Sequence, residues 1–178
     1  VLIVAEEYLT KSPNSSRIGK AVEYLVAASC ILASDAELNV STALVDDEGV
    51  DLVFHRRDSS AAIAAQVKSR GSNTTQAAKN RFSAFVRRQT FRVRPDFYLL
   101  FVVVDFASAQ FGPVWLVPSS DFERLAPLTG RGLYRFNAST GAVTNDRWSE
   151  YRLVGEDVPR QLSARLLDHL AHRGGAKH

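Results

Sequence analysis

The chain has 178 residues and a mass of 19.6 kDa, a size that suits one domain with roughly 70% of the unfolded surface buried on folding. Hydrophobic residues make up 46% and charged residues 23%, which excludes long-range disorder and fibrous classes. The formal charge of +3, from 22 Lys and Arg against 19 Asp and Glu, names no partner by itself. No apolar run approaches the ~20 residues of a membrane span. The apolar opening Val1 to Ala5 runs straight into Glu6 and Glu7, unlike a signal peptide. The single Cys30 excludes an intramolecular disulfide and a cysteine-rich zinc site, and fits a cytoplasmic location.

Ser15 or Ser16 offers an N-cap, and Ile18, Val22, Leu25 and Leu32 recur at helical spacing, so Arg17 to Ala33 is predicted to be a helix. Val40 to Val45 and Val50 to Arg57 flank Asp46-Asp47-Glu48-Gly49 and read as strand, tight turn, strand. A second turn at Asp58-Ser59-Ser60 leads to a third strand, Ala61 to Lys68. The three form an antiparallel meander.

Gly71 to Thr75 is a polar loop. Gln76 to Gln89 places Ala78, Phe82, Phe85 and Val86 on one side and is predicted to be helical. Phe97 to Phe106 and Val114 to Val117 are apolar and predict a hairpin turning at Gly112-Pro113. Ser119 or Ser120 would cap a short helix over Asp121 to Leu125. Gly130 to Trp148 is rich in turn residues, with short strands at Leu133 to Phe136 and Ala142 to Thr144. Asp157 and Pro159 start a last helix, Arg160 to Arg173, stopped by Gly174. The order predicts a single α/β or α+β domain over 1–178, with a mixed sheet flanked by helices. Its core would span about residues 15–120, with an extension from 121 to 178.

Side chains alternate along a strand, so Asp51 points away from the face shared by Val50, Leu52 and Phe54, while Gln66 and Lys68 share one face. If these strands pair, a carboxylate, a carboxamide and an ammonium converge. Carboxylate, amide and main-chain oxygens are the hard ligands that Mg²⁺ takes. A lysine beside them can stabilise charge growing on a phosphate and orient an attacking water. Glu23, among the small or apolar helical neighbours Gly19, Val26, Ala27 and Cys30, is the candidate second carboxylate, and a buried acid of this kind calls for a metal or a cation. The bland alternatives are a solvated Lys20–Glu23 couple and the polar face of a half-exposed sheet.

Glu23 on a first helix, Gly49-Val50-Asp51 opening a strand, and Gln66-Val67-Lys68 on the next resemble the PD-(D/E)XK nuclease superfamily, in the Asp…Gln-x-Lys form of Mrr-like endonucleases. The resemblance runs from Arg17 to about Val117 and implies a restriction-endonuclease-like fold with an αβββαβ core. It implies that Asp51 binds a metal, with Glu23 as the second carboxylate, that Val67 lends its main-chain carbonyl, and that Lys68 assists the attack. Gln66 stands where most members carry Asp or Glu, removing one negative charge, and the proline of the motif is absent before Asp51. The implied activity is endonucleolytic hydrolysis dependent on Mg²⁺ or Mn²⁺. DNA is the implied substrate and RNA the alternative; pairing into a homodimer would let such an enzyme cut both strands. The rival reading is a non-catalytic nucleic-acid-binding or assembly module that keeps the fold without the chemistry.

From Ser59 to Pro95 there is no Asp or Glu, and Lys68, Arg70, Lys79, Arg81, Arg87, Arg88, Arg92 and Arg94 give eight positive charges. The remainder has a net charge of −5. Such segregation beside the Gln-x-Lys strand suits a phosphate backbone, and Arg70, Lys79, Arg81, Arg87 and Arg88 are the candidate contacts. On a helix, Arg81 and Arg88 would fall on one side. His169 and His172 lie three apart on the last helix with no third ligand, and Trp115 and Trp148 read as core.

Overall fold

A computed structural model describes residues 13–42, 49–75, 77–142 and 144–174. Its helices are α1 (Pro13–Ala33), α2 (Ser119–Leu125) and α3 (Val158–Gly174). The strands are β1 (Leu38–Thr42), β2 (Leu52–Arg56), β3 (Ala62–Gly71), β4 (Arg81–Arg87), β5 (Phe97–Asp105), β6 (Gln110–Pro118), β7 (Leu133–Ser139) and β8 (Arg152–Leu153). A six-stranded mixed sheet has the order β1-β2-β3-β5-β6-β8, and β4 and β7 pair separately as a two-stranded ribbon. The meander forms as expected, and β3 to β5 is the parallel pair. The architecture is α+β.

The sheet separates two apolar layers. On one face Val22, Val26 and Cys30 of α1 and Leu162, Leu166 and Leu170 of α3, each set at intervals of one helical turn, pack on Leu52, Phe54, Ile63, Leu100 and Val102. On the other face the inner side of the ribbon, Phe82, Ala84, Val86, Tyr134, Phe136 and Ala138, covers Leu99, Phe101, Val103, Trp115 and Val117. Phe136 stacks on Phe101 with ring centroids 3.6 Å apart and meets Phe82 edge-on at 5.7 Å. Strand β5 is thus buried on both faces, which accounts for its unbroken apolar run.

Several local expectations change. The predicted helix Gln76 to Gln89 is instead a short 3₁₀ turn, Ala77–Lys79, followed by β4. Its apolar residues fit either period, and the alternation Phe82, Ala84, Val86 is the one that the partner β7 can complete in a ladder from Arg81↔Ser139 to Arg87↔Leu133. The αβββαβ order therefore loses its second helix, while the mixed sheet flanked by helices stands. The β5–β6 turn lies before Gly112-Pro113, at Phe106 to Ala109, where Ala109 has φ of 55°. Gly112 and Pro113 sit inside β6 beside a register shift at Val102/Val104, where a strand tolerates a missing N–H.

Helix α1 starts at Pro13, so Ser15 and Ser16 lie within it. Ser119 lies inside α2 and does not cap it. Fully buried, its hydroxyl accepts from the Arg94 N–H at 3.0 Å and donates to the Arg94 carbonyl at 2.7 Å, bolting the segment before β5 to α2. Ala142 and Thr144 are not in a strand. The guanidinium of Arg152 holds this loop through Thr144 Oγ1 and the Thr140 and Gly141 carbonyls. The turn Asp46-Asp47-Glu48 and the end of the first predicted strand lie outside the described residues. No helix among the described residues is long and apolar enough to cross a membrane.

Two substitutions test this packing. Phe136→Ala should lower stability by about 3–5 kcal/mol and Ser119→Ala by about 1–3 kcal/mol, because the latter leaves the Arg94 N–H without its hydroxyl acceptor, while the Arg94 carbonyl keeps only the Phe97 N–H. Urea unfolding measures both, and a midpoint equal to the parent's for either variant contradicts the corresponding contact.

Candidate active site

The site begins with a mismatch in strand length. Strand β3 has 10 residues and pairs with β5 as far as Gly71, whereas its neighbour β2 has 5 and reaches only back to Leu52, opposite Ala65. Main-chain groups two residues apart on a strand point to the same edge. The Ala64 N–H bonds the Asp96 carbonyl on the β5 side, and the Ala65 carbonyl accepts from the Asp51 N–H at 2.9 Å on the β2 side. Val67 therefore turns its N–H and C=O toward β2, past the point where that strand has left. The carboxylate of Asp51 fills the gap: Oδ2 accepts the Val67 N–H at 2.6 Å.

Gln66 and Lys68 follow Ala64, which packs under the ribbon, so both side chains lie on the ribbon face of the sheet. Both are half-buried. The Gln66 carboxamide lies against the main chain of Gly49, where a Cβ would fall only 2.5 Å from Nε2. Gly49 also has φ of 70°, a conformation that favours glycine. These two facts bring Gln66 beside the segment that carries Asp51. Val50 packs with the ribbon-side layer rather than sharing the face of Leu52 and Phe54, because regular β2 pairing starts only at Leu52.

Glu23 on α1 is paired: the Lys20 ammonium donates to Oε2 at 2.5 Å, with the two side chains 47% and 12% exposed. The Glu23 carboxylate holds the Lys20 ammonium above the usual lysine range, and Asp51 adds to this at longer reach. Lys20 thus pairs with Glu23 and lies within the electrostatic field of Asp51. Sequence reasoning weighed it only as a surface partner of Glu23, although its position three residues before that acid was the available signal.

Arg70 continues the β3 face, half-buried, with Nη1 on the Ser69 carbonyl. Lys79, Arg81, Arg87 and Arg88 are all exposed. Arg81 and Arg87 share the outer face of a strand instead of Arg81 and Arg88 sharing a helix side. His169 tucks against Tyr98 with ring centroids 5.1 Å apart and is held below the usual histidine range by burial, whereas His172 is exposed on the Asp168 carbonyl. Burial pushes the Cys30 thiol up to about 12, which removes it as a nucleophile. Among the described residues no group of three or more His, Cys, Asp and Glu gathers to hold a metal. Asp51 and the Val67 carbonyl stand at the gap, with Gln66 on the adjoining face, and these are hard oxygen donors of the kind that Mg²⁺ or Mn²⁺ takes.

No protein-family profile matches the sequence, and no curated protein matches it. Among solved structures the chain is similar to a bacterial homing endonuclease, I-Ssp6803I, at 17% sequence identity and a TM-score of 0.51, over 92% of this chain and 98% of that one. The agreement in fold spans both the meander and the elements after it. The likeness is one of fold: a mixed sheet flanked by helices, of the restriction-endonuclease-like kind.

Proposed function

We propose that the protein is a metal-dependent endonuclease that hydrolyses phosphodiester bonds in DNA. The observation that carries this reading is the Asp51 carboxylate held on the Val67 N–H where β2 leaves β3, with Gln66 and Lys68 on the adjoining face. Asp51, the Gln66 amide oxygen, the Val67 carbonyl and Glu23 would hold Mg²⁺ or Mn²⁺. When bound, the ion supplies charge stabilisation at the phosphoryl oxygens.

The chain's own contributions follow from position. The Val67 N–H fixes one oxygen of Asp51. The Gly49 backbone holds Gln66 in place. The Lys68 ammonium faces the charge that develops on the non-bridging oxygens and orients the attacking water. The water oxygen bonds to phosphorus as one ester P–O bond breaks, with no covalent intermediate on the protein. Basic side chains at Arg70, Lys79, Arg81, Arg87 and Arg88 supply phosphate contacts on the same side of the sheet.

The Lys20–Glu23 pair favours a second reading, a nucleic-acid-binding module without catalysis, since an ammonium already neutralises the second carboxylate a metal would need. The two differ in outcome. Asp51→Asn and Lys68→Ala should each lower Mg²⁺-dependent cleavage of plasmid DNA by about 10²-fold or more with unchanged circular dichroism; cleavage at the parental rate in either rejects the site. Gly49→Ala should displace Gln66 and cost about 10²-fold in rate, measured in the same assay. Chelation with EDTA should stop cleavage while duplex binding persists in a mobility-shift assay. Binding with no cleavage in Mg²⁺ or Mn²⁺ by the parent selects the second reading.

A further inference from the structure

Strand β7 brings a second acid-free stretch to the ribbon. From Ala126 to Asn145 there is no Asp or Glu, and the only charges are Arg131 and Arg135. Together with Ser59 to Pro95, this concentrates ten Lys and Arg in two stretches that hold no acid, while the rest of the chain carries twelve against all nineteen Asp and Glu. The two stretches are far apart in sequence. The pairing of β4 with β7 is what joins them.

Alternation then sorts the ribbon into two faces. Phe82, Ala84, Val86, Tyr134, Phe136 and Ala138 face the core, so Arg81, Ser83, Phe85 and Arg87 on β4 and Arg135 and Asn137 on β7 face outward. The cross-strand partners on this face are Ser83↔Asn137 and Phe85↔Arg135 at the centre, with Arg81 and Arg87 at the ends. Arg88 and Arg131 stand just past the Arg87↔Leu133 end, where the Arg88 N–H bonds the Gly132 carbonyl. Arg81, Arg87, Arg88, Arg131 and Arg135 are exposed, and none is in an ion pair among the described residues. By contrast Arg124 and Arg160, elsewhere on the surface, are held by Asp121 and Asp157.

We infer that the outer face of the β4–β7 ribbon is a docking surface for duplex DNA that lies in the major groove and reads base edges there. Two strands ~4.8 Å apart fit a groove ~12 Å wide, which admits a two-stranded ribbon. Arg81 and Arg87, six residues apart and hence separated by roughly 20 Å along the strand, sit at the rims with Arg88 and Arg131, where phosphates run. Arg135 and Asn137 occupy the middle. These side chain types form bidentate bonds with guanine O6/N7 and adenine N6/N7 respectively. Phe85, half-buried between them, offers the apolar contact that a thymine methyl takes. The ribbon lies on the same side of the sheet as Gln66 and Lys68. The inference rests on the proposed action on DNA and adds to it a recognition element separate from the hydrolytic site.

The test uses the full chain, a randomised 30-base-pair duplex pool and EDTA, so that binding is read without cleavage. The parent should protect guanine N7 from dimethyl sulfate. Arg81→Ala/Arg87→Ala should weaken binding evenly across sequences and reduce the slope of log affinity against log salt by about 2. Arg135→Ala/Asn137→Ala should flatten the sequence preference by about tenfold to a hundredfold per base contact. Arg124→Ala/Arg160→Ala should leave both unchanged. All these side chains are exposed, and an unchanged urea midpoint confirms folding. Parental affinity and preference in both ribbon variants, or unprotected N7 in the parental complex, overturns the ribbon inference, and Mg²⁺-dependent cleavage by the same parent would show that the enzymatic reading survives it. A parent that neither binds nor cuts duplex DNA overturns both.

Discussion

The carboxylate of Asp51 on the Val67 N–H is the interaction on which the candidate site depends. A strand edge left without a neighbour presents unsatisfied main-chain groups, and a half-buried edge cannot leave them so. Here β3 outruns β2, and a side chain supplies what a continued β2 would have supplied. The arrangement costs the sheet part of a ladder and gains a gap at the Val67 edge, bordered by the Asp51 carboxylate, with Gln66 and Lys68 on the adjoining face. Extending β2 by two regular residues would close that gap. The site is therefore a product of where pairing stops as much as of which residues are present.

The order of the chemistry-bearing residues was legible because it rides on strongly patterned elements. Val22 and Leu25, of the spacing Ile18, Val22, Leu25 and Leu32, turn to the core on α1 while Ile18 and Leu32 stay exposed, and the alternation Leu52, Phe54 marks β2. Such periodicities survive folding because each faces a large, flat partner. What was not legible was β4. The segment Arg81–Arg87 has apolar residues that satisfy a helical and a strand period at once, and the deciding partner, β7, begins 46 residues later. Gly112-Pro113 misled for a similar reason. Both residue types serve turns, yet here they absorb a bulge within β6, and the turn was made by Phe106 to Ala109, of which Ala109 adopts positive φ.

At the candidate site, the shared face of Gln66 and Lys68 was readable from alternation, whereas the partner of Glu23 depended on rotamer and packing. An acid with small helical neighbours reads as an interior charge in search of a metal. The fold instead gives it Lys20, one turn back on the same helix and within the field of Asp51. A short-range pairing of this kind leaves no periodic trace. It makes Glu23 half of an ion pair within one helix rather than an uncompensated interior charge.

The ribbon's construction also bears on how the chain is made. Residues paired between β4 and β7 lie 46 to 58 positions apart, with β5, β6 and α2 between them. At a synthesis rate of about 5–20 residues per second, roughly 2–12 s separates the appearance of β4 from that of its partner. Throughout that interval the inner side chains Phe82, Ala84 and Val86 have no companion strand, while the ten-residue β3 and the apolar β5 already have theirs within reach. Loop closure over such a span is rewarded only after the six-stranded sheet has begun to assemble. Nascent β4 is thus the segment whose apolar edge a chaperone or a neighbouring chain meets first.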